Sequence, residues 1–318
     1  MKFTFPARQA KAAPVVTPLM REVMNTTLLL APAGGLACWT GPSRMGKTTT
    51  AEHLADEVND AYTPTNPNAF RARRFQVSGD ASTAQRQTRL PKRGIRALYE
   101  GIVGIMDERV YRDRMPEALA ALTVDALIQR RIQLVMVDEA GTLSVSEIRG
   151  MAAVYDEAIA RGFPLMLTFI GMDDIGNKLS ALPQVKERVQ AWCAFEPYAR
   201  EEVRAFLRAM SPTLRAVDAE CLDMAAELVW KQYGGVPGRV AIFCRYLENW
   251  CVKMGDVPVD KATILAVMQY LEGAETRTRA LGKGAGGAPA PSVGGAFDTT
   301  PHSVKQPTRR RGSGTNHG

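Results

Sequence analysis

Apolar side chains along this chain follow two different patterns, and the change between them comes near Pro197. Upstream, short apolar runs alternate with helical stripes. Leu36-Ala37-Cys38-Trp39-Thr40 reads as a strand, and Thr49–Val58 follows as a helix with Ala51, Leu54, Ala55 and Val58 on one face. A helix over Thr17–Leu30 is expected ahead of them, and a strand over Ala72–Val77 after them. Further on, Ile95–Met106 fits a helix through Ile95, Leu98, Ile102 and Ile105, and Pro116–Arg130 fits another. Ile132-Gln133-Leu134-Val135-Met136-Val137 has no alternation, as expected of a strand covered on both faces. A helix near Ser146–Arg161, a strand over Leu165–Ile170 and a last strand around Trp192–Phe195 complete the series. Strands alternating with helices predict an α/β fold with a parallel five-stranded sheet. Downstream, Arg200–Met210, Ala219–Tyr233, Pro237–Met254 and Asp260–Leu271 all read as amphipathic helices, which predicts a small all-helical domain. The expected division is a flexible arm over 1–16, an α/β domain over 17–197, a helical domain over 198–275 and a disordered basic tail over 276–318.

The first strand and the helix after it are joined by Gly41-Pro42-Ser43-Arg44-Met45-Gly46-Lys47-Thr48, which fits G-x-x-x-x-G-K-[ST], followed by Thr49. Glycines at 41 and 46 let the backbone turn tightly and present its N–H groups to phosphates. Lys47 is placed to reach β/γ oxygens and Thr48 to ligate Mg²⁺. A helix N-terminus also favours an anion through its free amides and dipole. ATP and Mg²⁺ are therefore the expected cofactors. About 90 residues on, the buried strand ends in Asp138-Glu139, where Asp138 is placed to hold Mg²⁺ through water and Glu139 to polarise an attacking water. Two arginines are candidates for neutralising the transferring phosphate. Arg188, just before the last strand, would be offered to a neighbouring subunit, and Arg239, after a Gly-Gly turn, would reach back within its own.

Charge sharpens this picture. The net charge is +7, yet residues 71–96 alone carry eight basic side chains and one acid, and residues 282–318 carry five and one. The rest of the chain is net acidic. Positive charge so concentrated is the footprint of a polyanion contact. Thirteen of the 37 residues in 282–318 are Gly or Pro, which predicts disorder there. The five cysteines form no C-x-x-C pair and read as small core residues rather than a disulfide or zinc framework. No run approaches the roughly 18 apolar residues of a membrane span, and Met1–Pro6 lacks a signal-peptide core. The expectation is a cytoplasmic protein with no membrane partner.

The P-loop, the Asp-Glu pair, a strand ending in Ile170-Gly171-Met172, Arg188 before the fifth strand, Phe195-Glu196-Pro197-Tyr198 leading into helices, and Arg239 after a Gly-Gly turn together resemble the AAA+ ATPases. The Ile-Gly-Met ending, the compact size and the arginine-rich stretch after the second strand are similar to transposition regulators of the TnsC, TniB and MuB type. That resemblance implies a helical lid over the P-loop core, ATP hydrolysis, and assembly of a homo-oligomer, as a ring or helical filament, on double-stranded DNA. It further implies recruitment of a transposase and a TniQ-like adaptor, in a bacterial, nucleoid-associated setting. Phosphate contacts to DNA would fall to Arg86, Arg89, Lys92, Arg93 and Arg96. Arg71, Arg73 and Arg74 lie in or beside a strand and are expected to pair with acids instead. One departure is that no polar first-sensor residue stands at the fourth strand's end, since Thr168 lies within the strand. The competing expectations are an AAA+ helicase loader or replication-initiation ATPase, and a nucleotide-switched signalling NTPase without DNA.

Overall fold

The computed structural model describes residues 15–77, 116–254 and 259–283. The helix expected over Ile95–Met106, the five basic residues from Arg86 to Arg96, most of the arm and most of the tail lie outside the described residues.

The first described part is α1 (Pro18–Leu30), β1 (Gly35–Thr40), α2 (Lys47–Asp60) and β2 (Arg71–Gln76). After it come α3 (Pro116–Arg130), β3 (Ile132–Asp138), α4 (Val145–Ala160), β4 (Met166–Ile170), α5 (Asp173–Ser180), a single turn α6 (Pro183–Lys186) and β5 (Val189–Ala194). The strands form one parallel five-stranded sheet in the order β2-β3-β4-β1-β5. β1, β3 and β4 occupy its centre, which is why their residues read as unbroken apolar runs. Successive side chains point to opposite faces. Leu36, Cys38, Val135, Val137 and Phe169 meet α3, α4 and α5 on one side, while Ala37, Trp39, Leu134, Met136 and Ile170 meet α1 and α2 on the other.

Helices follow: α7 (Arg200–Met210), α8 (Pro212–Ala216), α9 (Ala219–Tyr233), α10 (Pro237–Met254) and α11 (Lys261–Lys283). They bury their own apolar cluster around Leu207, Val229, Phe243 and Leu247. Asp218 caps α9 by accepting from the Cys221 amide at 2.7 Å, and left-handed Gly234 ends it.

The structure departs from the sequence pattern in four places. β5 starts at Val189, three residues early, because this edge strand alternates in burial instead of running apolar. α5 and α6 leave no periodic stripe in the sequence, being only eight and four residues long. α8 is one short helix capped by Ser211, which accepts from the Leu214 amide at 3.1 Å and donates to Glu248, and Glu248 also accepts from the Thr213 amide at 3.1 Å. α11 runs twelve residues past Leu271, to Lys283. Its apolar stripe ends where expected, but Glu, Ala, Arg and Lys keep the backbone helical without it.

Candidate functional site

Three loop residues between β1 and α2 have a left-handed backbone: Gly41 (φ 143°), Arg44 (φ 67°) and Gly46 (φ 91°). At Gly41 no other residue fits, since a Cβ would lie inside 3.0 Å of the Phe195 carbonyl oxygen. Lys47, the first residue of α2, donates from Nζ to the carbonyls of Gly41 and Pro42, both at 2.6 Å. Burial lowers its pKa below the usual lysine value, and the nearby carboxylates of Asp138 and Asp173 oppose that shift.

Asp138 ends β3 and is 3% exposed. Its Oδ2 accepts from Thr48 Oγ1 at 2.8 Å and its Oδ1 from the Glu139 amide at 2.9 Å. Glu139 is exposed and left-handed, with φ 57°. The turn it begins, Ala140–Thr142, is held by Thr142 Oγ1 donating to the Glu139 carbonyl at 2.9 Å. Lys178 of α5 clamps the same turn, donating to the Gly141 carbonyl and, at 2.9 Å, to that of Leu143. Nothing in the sequence pattern signals Lys178, because the eight residues of α5 are too few for a readable apolar stripe.

Lys47, Thr48, Asp138, Glu139, Gly141 and Thr142 line one cavity of about 990 Å³. Its lining combines the polar Ser43, Lys47, Thr48, Thr49, Asp138, Glu139 and Asp174 with the apolar Val15, Met20, Phe206, Met210 and Ile242. A volume at the upper end of small-molecule sites, lined both by apolar side chains and by the P-loop, fits a nucleoside triphosphate. The helices close it over the P-loop through a glycine turn. The Gly238 amide donates to the Arg44 carbonyl at 2.9 Å, and a Cβ at Gly238 would lie 2.8 Å from that oxygen.

The remaining predicted residues are placed as follows. Arg239 is partly buried in the first turn of α10 but does not line the cavity. Arg245 does, one face-repeat beyond Gly238, Ala241 and Ile242. That i, i+3, i+4, i+7 spacing was readable and would have pointed to Arg245. Arg188 lies outside the cavity and pairs with Asp156 of α4. Thr168 is fully buried within β4 and its hydroxyl has no partner among the described residues. After β4 the cavity is lined by Gly171, Met172 and Asp174.

Among the basic residues of 71–96, the described ones are engaged within the protein. Arg71 stacks over Tyr62 at 4.4 Å from the ring centroid, and Arg74 pairs with Asp138 and Glu52. All five cysteines are free thiols; Cys38, Cys244 and Cys251 are buried, whereas Cys193 and Cys221 are partly exposed. Among the described residues no helix is long and apolar enough to cross a membrane.

The parallel sheet, the P-loop at its centre, the acidic end of β3 and the following helices define an AAA+ P-loop core. Residues 33–179 match a family described as AAA domain. Among solved structures, the Aeropyrum pernix ORC2 protein (ADPNP-ADP complexes) is similar at TM-score 0.59 and 16% identity, covering 82% of this chain and 69% of that one. The Aeropyrum pernix ORC1 protein in complex with DNA gives 0.56 and 17%, covering 83% and 68%. Drosophila ORC bound to DNA gives 0.55 and 18%, covering 87% and 71%. At such identities the likeness is one of fold alone. No curated protein matches the sequence.

Proposed function

We propose that this protein is a Mg²⁺-dependent ATPase that works on DNA in the manner of AAA+ loaders and replication initiators. The observation that carries the chemistry is the meeting of Lys47, Thr48, Asp138 and Glu139 in one cavity whose lining also includes apolar side chains suited to a base. The fold likeness to ORC proteins, two of them solved with DNA, supports the DNA-directed part.

Thr48 and Asp138, hydrogen-bonded to each other beside the P-loop, are the residues that would hold Mg²⁺, a hydroxyl and a carboxylate being the oxygen donors this ion takes. When bound, it would neutralise charge on the β- and γ-phosphate oxygens. Lys47 exchanges its two loop carbonyls for phosphate oxygens. Glu139, clear of the ion pairs around Asp138, orients and deprotonates the attacking water. Arg245 supplies a cation from the helical side, and Arg239 adds one if the lid closes further. Arg188 leaves Asp156 to serve the site of a neighbouring subunit.

A second reading, the transposition regulator that assembles on duplex DNA and recruits a transposase, is favoured by one feature. Once Arg71 and Arg74 are assigned to internal contacts, the basic cluster that follows β2 narrows to Arg86, Arg89, Lys92, Arg93 and Arg96. Electron microscopy of the chain with ATP and either duplex or single-stranded DNA separates the two. Continuous filaments or stacked rings on duplex support the regulator. A preference for single strands without filaments supports the loader, and no DNA binding at low salt refutes both.

A further inference from the structure

Asp138 is held from behind as well as from the nucleotide side. Arg74 on β2 donates to its Oδ2 from Nη2 at 2.7 Å and from Nε at 3.3 Å, and its third arm, Nη1, reaches Glu52 Oε1 at 3.3 Å. The approach comes from a separate polar cleft of about 330 Å³ between α2 and β2, lined by Glu52, Asp56, Asn59 and Arg74; Arg74 does not line the nucleotide cavity. The two side chains are only 18% and 4% exposed, so the pair is shielded from bulk water. β2 is an edge strand, and Asn59 of α2 secures it by pairing with both the Ala72 amide and carbonyl at 3.0 Å. Arg74 is thereby set two residues short of Gln76, the register partner of Asp138.

We infer that Arg74 is a positioning residue for Mg²⁺-dependent nucleotide binding, fixing Asp138 so that its Oδ1 is presented to a metal-bound water. This rests on the ATPase reading above. The lone-pair count supports it: Oδ2 already accepts from Thr48 and twice from Arg74, whereas among the described residues Oδ1 takes only the Glu139 amide and keeps capacity for another donor. A rigid guanidinium fork can hold one oxygen with two donors while bridging to Glu52; a lysine cannot. Groups behind a metal ligand commonly change metal affinity about 10–100-fold when removed.

The test is calorimetric titration of a non-hydrolysable ATP analogue into the full chain, in Mg²⁺ and in EDTA, for wild type, Arg74→Met and Arg74→Lys. Arg74→Met is expected to lose about 10–100-fold of affinity in Mg²⁺ and nothing in EDTA, with Arg74→Lys between it and wild type. Equal losses in both conditions, or none in either, overturn the assignment. Should Arg74→Met fail to fold, Arg74→Lys and Glu52→Gln decide by the same split. A wild-type protein that gains nothing from Mg²⁺ refutes the nucleotide-site reading itself, whatever Arg74 does.

Discussion

Glu139 combines a chemical role with a backbone conformation that costs stability, so two substitutions there should move activity and stability independently. Its φ of 57° places a side chain in the left-handed region, at a cost of about 1–2 kcal/mol that glycine avoids. Glu139→Gly relieves that strain but raises unfolded-chain entropy by about 0.5–1 kcal/mol. The Glu139 side chain is exposed and the hydrogen bonds of the turn use backbone atoms of residue 139, so little packing is lost. The net expectation is a gain of about 0.5 kcal/mol, or a rise in Tm of roughly 1–2 °C for a chain of this size. Loss of a general base costs about 10²–10⁴-fold in turnover, equivalent to about 3–5 kcal/mol of barrier. Glu139→Gln keeps the strain and loses the base. Phosphate release and thermal unfolding on both variants should show two inactive proteins, with glycine at least as stable as wild type. A glycine variant more than about 1 kcal/mol less stable refutes the strain argument, and a glutamine variant with unchanged turnover removes Glu139 from the chemistry.

Other outcomes follow from the same geometry. Gly41→Ala forces a Cβ against the Phe195 carbonyl and should cost about 3 kcal/mol or more, seen as a lowered melting temperature together with weakened nucleotide binding; an unchanged melt contradicts the close approach. Arg245→Ala should reduce ATP affinity or turnover about tenfold, the loss of one charge-assisted hydrogen bond, and more than Arg239→Ala does; the reverse order would return the lid cation to Arg239. Burial pushes the Cys38 and Cys244 thiols up to about 12 and Cys193 to about 11. A raised pKa means less thiolate at any lower pH, so at pH 8 Cys38 should hold only about one part in 10⁴ as thiolate. Ellman's reagent should therefore label these three slowly in the native protein and all five rapidly after unfolding, and fast native labelling of Cys38 would contradict its burial.

Much of this arrangement was legible in the chain because its signals are local. Gly41, Gly46, Lys47 and Thr48 sit within eight residues. The buried strands read as apolar runs, and α7, α9 and α10 begin and end where their stripes do. The contacts that complete the site are not local. Arg74 meets Asp138 across 64 positions, Lys178 meets Gly141 across 37, and Glu248 meets Thr213 across 35. Such pairings leave no periodicity to read. Arg74 shows the difference most plainly, since its residue type suggests an acidic partner, but the strand register sets it opposite Met136 and only the folded side-chain contact shows that the partner is Asp138.

ATP hydrolysis at the P-loop is tested most directly by phosphate release from the full chain at saturating Mg²⁺, for wild type beside Lys47→Ala. Steady turnover is expected from wild type and is lost when Lys47 is replaced. Turnover that persists at the wild-type rate without the Lys47 ammonium would contradict hydrolysis at the P-loop.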